Sequence, residues 1–144
     1  MPLDGEYEPC TWGTAAEQVA EIEASGGTQG TMRAGVPCIV LWTRGSRTGK
    51  VRKTPLIRVT DGLCYAAVGS MGGAPKDPSW VGNLRADGRA TVQDGPALHD
   101  VVARELAGDE KEAWWRRATE VWPAYDEYQA RTDRSIPVFV LEPD

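Results

Sequence analysis

Between Ala24 and Thr60 the chain has no Asp or Glu, yet that span holds seven of its sixteen basic residues. Five of them (Arg44, Arg47, Lys50, Arg52 and Lys53) fall within ten positions, in Arg44-Gly-Ser-Arg-Thr-Gly-Lys-Val-Arg-Lys53. The rest of the chain carries nine basic against twenty-one acidic residues, and the formal net charge is −5. Guanidinium forks and mobile ammonium groups at this density suit the oxygens of a phosphate or carboxylate, so the pattern points to a bound anion. A solvated hairpin turn whose cations balance acids elsewhere accounts for the same residues without a ligand.

Other chemistries find less support. Cys10, Cys38 and Cys64 are three in number, widely spaced, and include no Cys-x-x-Cys. Cys38 and Cys64 sit inside apolar runs and read as small buried hydrophobes, not as a disulfide or redox pair. The single His, His99, lies in a polar stretch and reads as a solvent-facing strand residue; no metal site is expected from so few ligands. Gly45-Ser-Arg-Thr-Gly49-Lys50-Val51 is a phosphate loop only in outline. It has three residues between its glycines, no Ser or Thr after the Lys, and a strand instead of a helix to follow. Gly69 to Gly73 does not make a dinucleotide fingerprint, and no Gly-x-Ser-x-Gly elbow is present.

The elements that must carry these residues follow from length, composition and periodicity. A chain of 144 residues with 41% hydrophobic and 26% charged side chains fits one globular domain spanning 1–144, with residues 1–11 expected to be flexible. The acidic balance argues against nucleic-acid binding. No run approaches 18 apolar residues, and Met1 to Glu8 lacks the basic and apolar regions of a signal peptide, so a cytoplasmic protein without membrane association is expected. Trp12 to Ala24 reads as an amphipathic helix capped by Thr11 or Thr14 and ended by Ser25-Gly26-Gly27. Strands are expected over Val36–Thr43, buried on both sides, and over Val51–Val59, where Pro55 implies an edge or bulge. Asp61-Gly62 turns the chain into a strand over Leu63–Val68. A Gly- and Pro-rich loop from Gly69 leads to a short helix starting at Pro78 and passing through Trp80, Leu84 and Arg85. Ala90–Gln93 and Ala97–Leu106 flank the turn at Asp94-Gly95. Asp109 is expected to cap a long helix with Trp114, Trp115, Ala118, Val121 and Trp122 on its apolar stripe, and Pro123 to kink or restart it before Tyr125 and Tyr128. Ile136–Leu141 closes the chain as a strand. The fold class is α+β, mainly β: a mostly antiparallel sheet curled into a small barrel with an N-terminal and a long C-terminal helix packed outside.

Four motifs occur in order: Gly45-Ser-Arg-Thr-Gly-Lys-Val-Arg-Lys-Thr-Pro-Leu56, Ser70-Met-Gly-Gly-Ala-Pro-Lys-Asp-Pro-Ser-Trp80-Val-Gly-Asn83-Leu84, Trp122-Pro-Ala-Tyr125-Asp-Glu-Tyr128-Gln and Thr132-Asp-Arg-Ser-Ile-Pro-Val138. With them the chain resembles, over residues 17–143, the deazaflavin-dependent nitroreductase family of split β-barrel oxidoreductases, which use reduced coenzyme F420. The resemblance implies an FMN-binding-like split barrel. It assigns Arg47, Thr48, Gly49, Lys50 and Arg52 to the cofactor's phosphodiester and oligoglutamate tail, and counts Lys53 and Pro55 among the cofactor-binding residues. Val68, Gly69, Ser70, Met71, Gly72 and Gly73 would lie beside the 8-hydroxy-5-deazaflavin ring, and Trp80 and Asn83 would face it from the short helix. A core plug for Trp80 and a loop or helix cap for Asn83 are the plainer readings.

Such a cofactor passes a hydride, and the protein must align an acceptor and hydrogen-bond the charge that develops on it. Tyr125, Tyr128 and Ser70 are the implied donors, although both tyrosines also continue the apolar stripe begun at Trp114. Two departures from the family pattern bear on the acceptor. Met71 stands where Lys is frequent, and Trp122 where Tyr can stand, which favours a quinone or a coumarin-type enone over a nitro compound. A deazaflavin carrier without turnover and an FMN-dependent split barrel are the competing readings, and pairing into a homodimer stays open.

Overall fold

A strand alternates its side chains between two faces, so an unbroken apolar run means that both faces are covered. The strand Val36–Arg44 meets this condition, with Cys38, Ile39, Val40 and Leu41 all buried. Ile39 and Leu41 point into a cluster with Val92, Val101, Phe139 and Leu141. Cys38 joins a second cluster, with Ala118, Tyr125, Val138 and Val140, and Val40 packs with Val19 and Ile22 in a third. The same alternation separates Ala67 from Ala66 and Val68, and Phe139 and Leu141 from Val138 and Val140.

The computed structural model describes residues 2–9, 13–33 and 35–144. Its elements are α1 (Gly13–Ala24), β1 (Met32–Arg33), β2 (Val36–Arg44), β3 (Val51–Ile57), β4 (Tyr65–Val68), a 3-10 turn (Met71–Gly73), α2 (Ser79–Ala86), β5 (Arg89–Asp94), β6 (Ala97–Glu105), α3 (Gly108–Val121), α4 (Ala124–Ala130) and β7 (Val138–Pro143). All pairings between these strands are antiparallel, along the path β3–β2–β5–β6–β7–β4, with β1 added to the start of β2. Beyond β3, the Ala66 N–H donates to the Val59 carbonyl at 2.9 Å and Thr60 bridges Tyr65. The path thereby returns to β4 and the sheet closes on itself. A polar staple marks this seam. Arg58 Nε donates to both carboxylate oxygens of Asp94 at 3.1 and 3.0 Å, and the Tyr65 hydroxyl donates to Asp94 Oδ2 at 2.6 Å.

Local signals place most elements. Pro55 lies opposite Val40 in β3, and among the named strands β3 pairs only with β2, so the missing N–H falls on an edge. Pro123 separates α3 from α4, and the N–H groups of Gly26 and Gly27 close α1 onto the Glu23 and Ile22 carbonyls. Helix α1 docks on the barrel, burying Val19 and Ile22. Thr11, Trp12, Cys10 and the side chain of Thr14 lie outside the described residues.

Three expectations need correction. Asp109 sits inside the first turn of α3, while Ala107 holds the cap position without a side-chain bond; the carboxylate still lies near the positive end of the helix dipole. Cys64 is half-buried in the turn ahead of β4, where Asp61 Oδ1 accepts from the Leu63 and Cys64 amides. The last strand begins at Val138, because the Ile136 N–H is taken by Gln129 Oε1 and Pro137 has no N–H to give. Among the described residues no helix is long and apolar enough to cross a membrane.

Candidate active site

A cleft of about 830 Å³ opens between β3, the loop after β4, α1 and α4. Arg52, Thr54, Pro55 and Leu56 of β3 form one wall, Ser70, Met71 and Gly72 another, and Trp122, Tyr125 and Tyr128 a third. Trp80 closes one side from the first turn of α2, buried edge-on against Phe139 with ring centroids 5.9 Å apart. It is therefore both core plug and cleft wall. Tyr125 is 5% exposed, and its hydroxyl has no hydrogen-bond partner among the described residues. Burial, reinforced by the neighbouring Tyr128, raises its pKa well above the ordinary 10.0, so the O–H keeps its proton. The Tyr128 ring stands edge-on to that of Tyr125 at 6.1 Å, and its hydroxyl accepts a long bond from Trp122 Nε1 at 3.4 Å.

The glycine loop is a strained segment held from outside. Met71, Gly72 and Gly73 have φ of 47°, 66° and 82°, a left-handed run that costs energy at Met71. A Cβ on Gly73 would lie 2.7 Å from the Tyr128 carbonyl oxygen, and one on Gly69 would lie 2.9 Å from Pro137 Cγ. The loop thus lies directly against α4 and the start of β7. One side chain grips it. Arg134 donates to the carbonyls of Ala74 (Nε, 2.8 Å), Gly69 (Nη1, 3.0 Å) and Ser70 (Nη2, 2.8 Å), and to Asp77 Oδ1 at 2.7 Å.

The basic hairpin is tethered from the other side by Asn83. Its Oδ1 accepts from the Ser46 amide at 3.0 Å, and its Nδ2 donates to the Thr43 hydroxyl at 3.1 Å. Asn83 does not line the cleft; from the buried face of α2 it positions the turn between β2 and β3. Gly49, with φ of 72°, completes that turn, and its carbonyl accepts from Arg44. Several of the cations already have partners in the chain. Lys50 lies 3.7 Å from Glu6, Arg52 lies 3.1 Å from Glu8, and Lys53 pairs with Glu23. Thr48 donates to Glu8 at 3.4 Å. Lys53 stands over the Trp42 and Tyr7 rings at 4.2 and 4.8 Å, the expected place for the residue opposite Trp42 in the β2–β3 register. Arg47 is exposed and makes no hydrogen bond or ion pair with the described residues.

Of the residues singled out from sequence, Arg52, Pro55, Val68, Ser70, Met71, Gly72, Trp80, Tyr125 and Tyr128 meet at the cleft. Arg47, Thr48, Gly49 and Lys50 lie on the adjoining hairpin, Gly69 and Gly73 brace the loop from behind, and Asn83 and Lys53 face elsewhere. Sequence reasoning missed the Arg134 grip, although Arg134 lies within one of the four motifs. It also missed Gln18 and Arg33, which line the cleft, and Arg33 lies 5.8 Å above the Trp122 ring. No spacing signal marks residues brought together across such separations.

A family model described as F420H(2)-dependent quinone reductase matches residues 14–143. An F420H(2)-dependent quinone reductase of Mycobacterium tuberculosis is 35% identical over 108 residues, covering 73% of this chain and 72% of that protein. Among solved structures, one described as a domain-swapped dimer superposes with a TM-score of 0.73 at 46% identity, over 88% of this chain and 95% of its own. Another, described as the F420-H2 dependent reductase FDR-A, gives 0.70 at 48% identity, over 74% of this chain and 94% of its own.

Proposed function

The chain belongs to the F420H(2)-dependent quinone reductase family, and on that premise we propose that it reduces a quinone bound in the cleft between β3 and α4, with reduced coenzyme F420 as the hydride source. Tyr125 carries this reading: a protonated phenol, without a hydrogen-bond partner among the described residues, on the wall of a cleft in the size range of cofactor sites.

The residues present suit the cofactor. Gly72 has open space around its missing Cβ, Val68 and Trp80 add apolar wall for a flat ring, and Arg52 places a guanidinium at the cleft margin beside the hairpin. Arg47, Lys50, Thr48 and the Gly49 turn would receive the phosphodiester and oligoglutamate tail. When bound, the reduced deazaflavin supplies a hydride from its ring carbon. The chain then has to hold the acceptor, exclude water and meet the charge that develops on the acceptor oxygen. Tyr125 offers that oxygen a hydrogen bond without ionising, and Ser70 and Tyr128 extend the donor set. Arg33, over the Trp122 ring, adds a cation at the mouth that Met71 does not provide. The apolar faces of Trp122 and Met71 favour a quinone over a coumarin-type enone, and both over a nitro compound. A homodimer is part of the proposal, supported by the neighbour described as a domain-swapped dimer.

Titration with F420 and, separately, FMN, followed by turnover assays with reduced F420, tests this. Binding of F420 alone is expected, with oxidation fastest on a soluble naphthoquinone, slower on a coumarin lactone and slowest on a nitroimidazole. Replacing Arg47 and Arg52 together with Ala should weaken F420 binding about tenfold or more. Preference for FMN would overturn the cofactor assignment. Binding of F420 with no oxidation by any acceptor would make the protein a carrier.

A further inference from the structure

The cationic hairpin is already engaged by the chain's own carboxylates, and the segment that brings them there is built in. The Val51 amide donates to the Glu6 carbonyl at 2.7 Å, the Glu8 amide donates to the Val51 carbonyl at 2.9 Å, and Tyr7 bridges Val51 in parallel. The Leu3 amide donates to the Thr91 hydroxyl at 2.9 Å, and Arg44 donates to the Asp4 carbonyl at 3.2 Å. This fixes residues 6–8 as an extended strap beside Val51 at the start of β3, with Leu3 and Asp4 anchored to β5 and β2 ahead of the bend at Gly5. Side chains two apart in an extended segment share a face. Glu6 and Glu8 accordingly both reach hairpin cations, while Tyr7 packs against Lys53. The Glu8 carboxylate lies 3.1 Å from the Arg52 guanidinium and 3.4 Å from the Thr48 hydroxyl. Arg52 is also a cleft residue, so Glu8 holds a donor that a ligand in the cleft would need.

We propose that Glu6 and Glu8 are specificity-determining residues of this site: they hold its cations as internal ligands and yield them only to a tail of several carboxylates. The proposal rests on the hairpin being the seat of the cofactor's anionic end. Two glutamates on an extended strap present the same chemistry as an oligoglutamate tail, carboxylates at short intervals along a flexible chain. Both pairs are open to solvent, with Glu6 74% and Glu8 37% exposed in their side chains, so they exchange readily. A ligand with one negative group gains little by displacing two carboxylates, whereas a longer anionic tail replaces both and adds contacts to Arg47, which is exposed and pairs with none of the described residues.

The test compares the full-length chain with its Glu6→Gln, Glu8→Gln double variant against three probes: F420 with its glutamate tail, the tail-less deazaflavin riboside, and a tri-glutamate peptide. At low ionic strength the variant should bind tailed F420 and the peptide about threefold to tenfold more tightly than the unmodified chain, with the riboside unchanged and the gain shrinking at high salt. Equal affinities, or weaker binding by the variant, would overturn the proposal, since the carboxylates would then be neutral bystanders or supports for the cations. If F420 binds neither protein while the peptide prefers the variant, the cofactor reading falls and the strap stands. If no probe binds either protein, both fall. The unmodified chain gives an independent reading: amide exchange at Glu8 should rise on saturation with tailed F420, and unchanged protection in the F420-bound protein would overturn the proposal.

Discussion

Tyr65 and Tyr125 are both buried phenols whose pKa burial raises, yet they do opposite work. At the barrel seam the Tyr65 hydroxyl donates to Asp94 at 2.6 Å, and burial together with that carboxylate pushes its pKa up to about 12. Arg58 holds the same carboxylate, so the acceptor is shared within the protein. At the cleft Tyr125 is raised by burial first, and its hydroxyl has no partner among the described residues. A donor that stays protonated and faces the cleft without a partner among the described residues is available to a ligand there. The seam spends its polar groups on closure, while the cleft keeps one in reserve.

Arg134 tests that contrast most severely, because it holds the loop that walls the cleft and is committed to the scaffold. Replacing Arg134 with Ala should cost about 2–4 kcal/mol in urea unfolding, since three loop carbonyls and Asp77 lose their donor, and turnover should fall by about tenfold or more as the loop relaxes. Arg134→Lys should recover little, because one ammonium cannot span acceptors that a planar fork bridges. A variant that keeps both stability and turnover would show that the loop holds its left-handed shape unaided.

Next in size is a crossed pair. Tyr125→Phe should lower turnover by about tenfold to a hundredfold with stability unchanged within about 0.5 kcal/mol, having removed no hydrogen bond to a described residue. Tyr65→Phe should cost about 1–2 kcal/mol with turnover unchanged. Reversed outcomes, read by denaturant melts and steady-state rates, would break the distinction between the two sites.

The smallest expected effects are in pH. The pKa of Tyr65 is higher folded than its ordinary 10.0, so its stabilisation is complete below pH 10 and is lost as pH rises from there toward about 12. The stability gap between the unmodified chain and Tyr65→Phe should therefore narrow between those limits. The Tyr125 shift acts on rate: its O–H survives past pH 10, and the turnover profile should show no falling limb from this group at lower pH. A limb near pH 8 that disappears in Tyr125→Phe would contradict the burial argument.

Period-2 apolar runs, the turn at Asp61-Gly62, the Pro55 edge and the break at Pro123 were legible because each depends on neighbours within a few residues. Asp109 was read as the cap that Ala107 holds, two positions earlier, because several polar residues compete for a helix start and only backbone geometry chooses among them. The site divides along the same line. Residue types fix that an acid-free, cation-rich turn, a glycine loop and two tyrosines exist in this order, since a side chain's charge and a glycine's backbone freedom are local properties. Tertiary structure alone decided that Asn83 holds the turn instead of facing the cleft, that Lys53 belongs to Trp42 and Glu23, and that Arg134 grips the loop from about sixty residues away. It also decided that Glu6 and Glu8 lie against Lys50 and Arg52. Hydrogen bonds and ion pairs act over a few ångströms, and sequence spacing says nothing about which distant groups the closed barrel brings within that range.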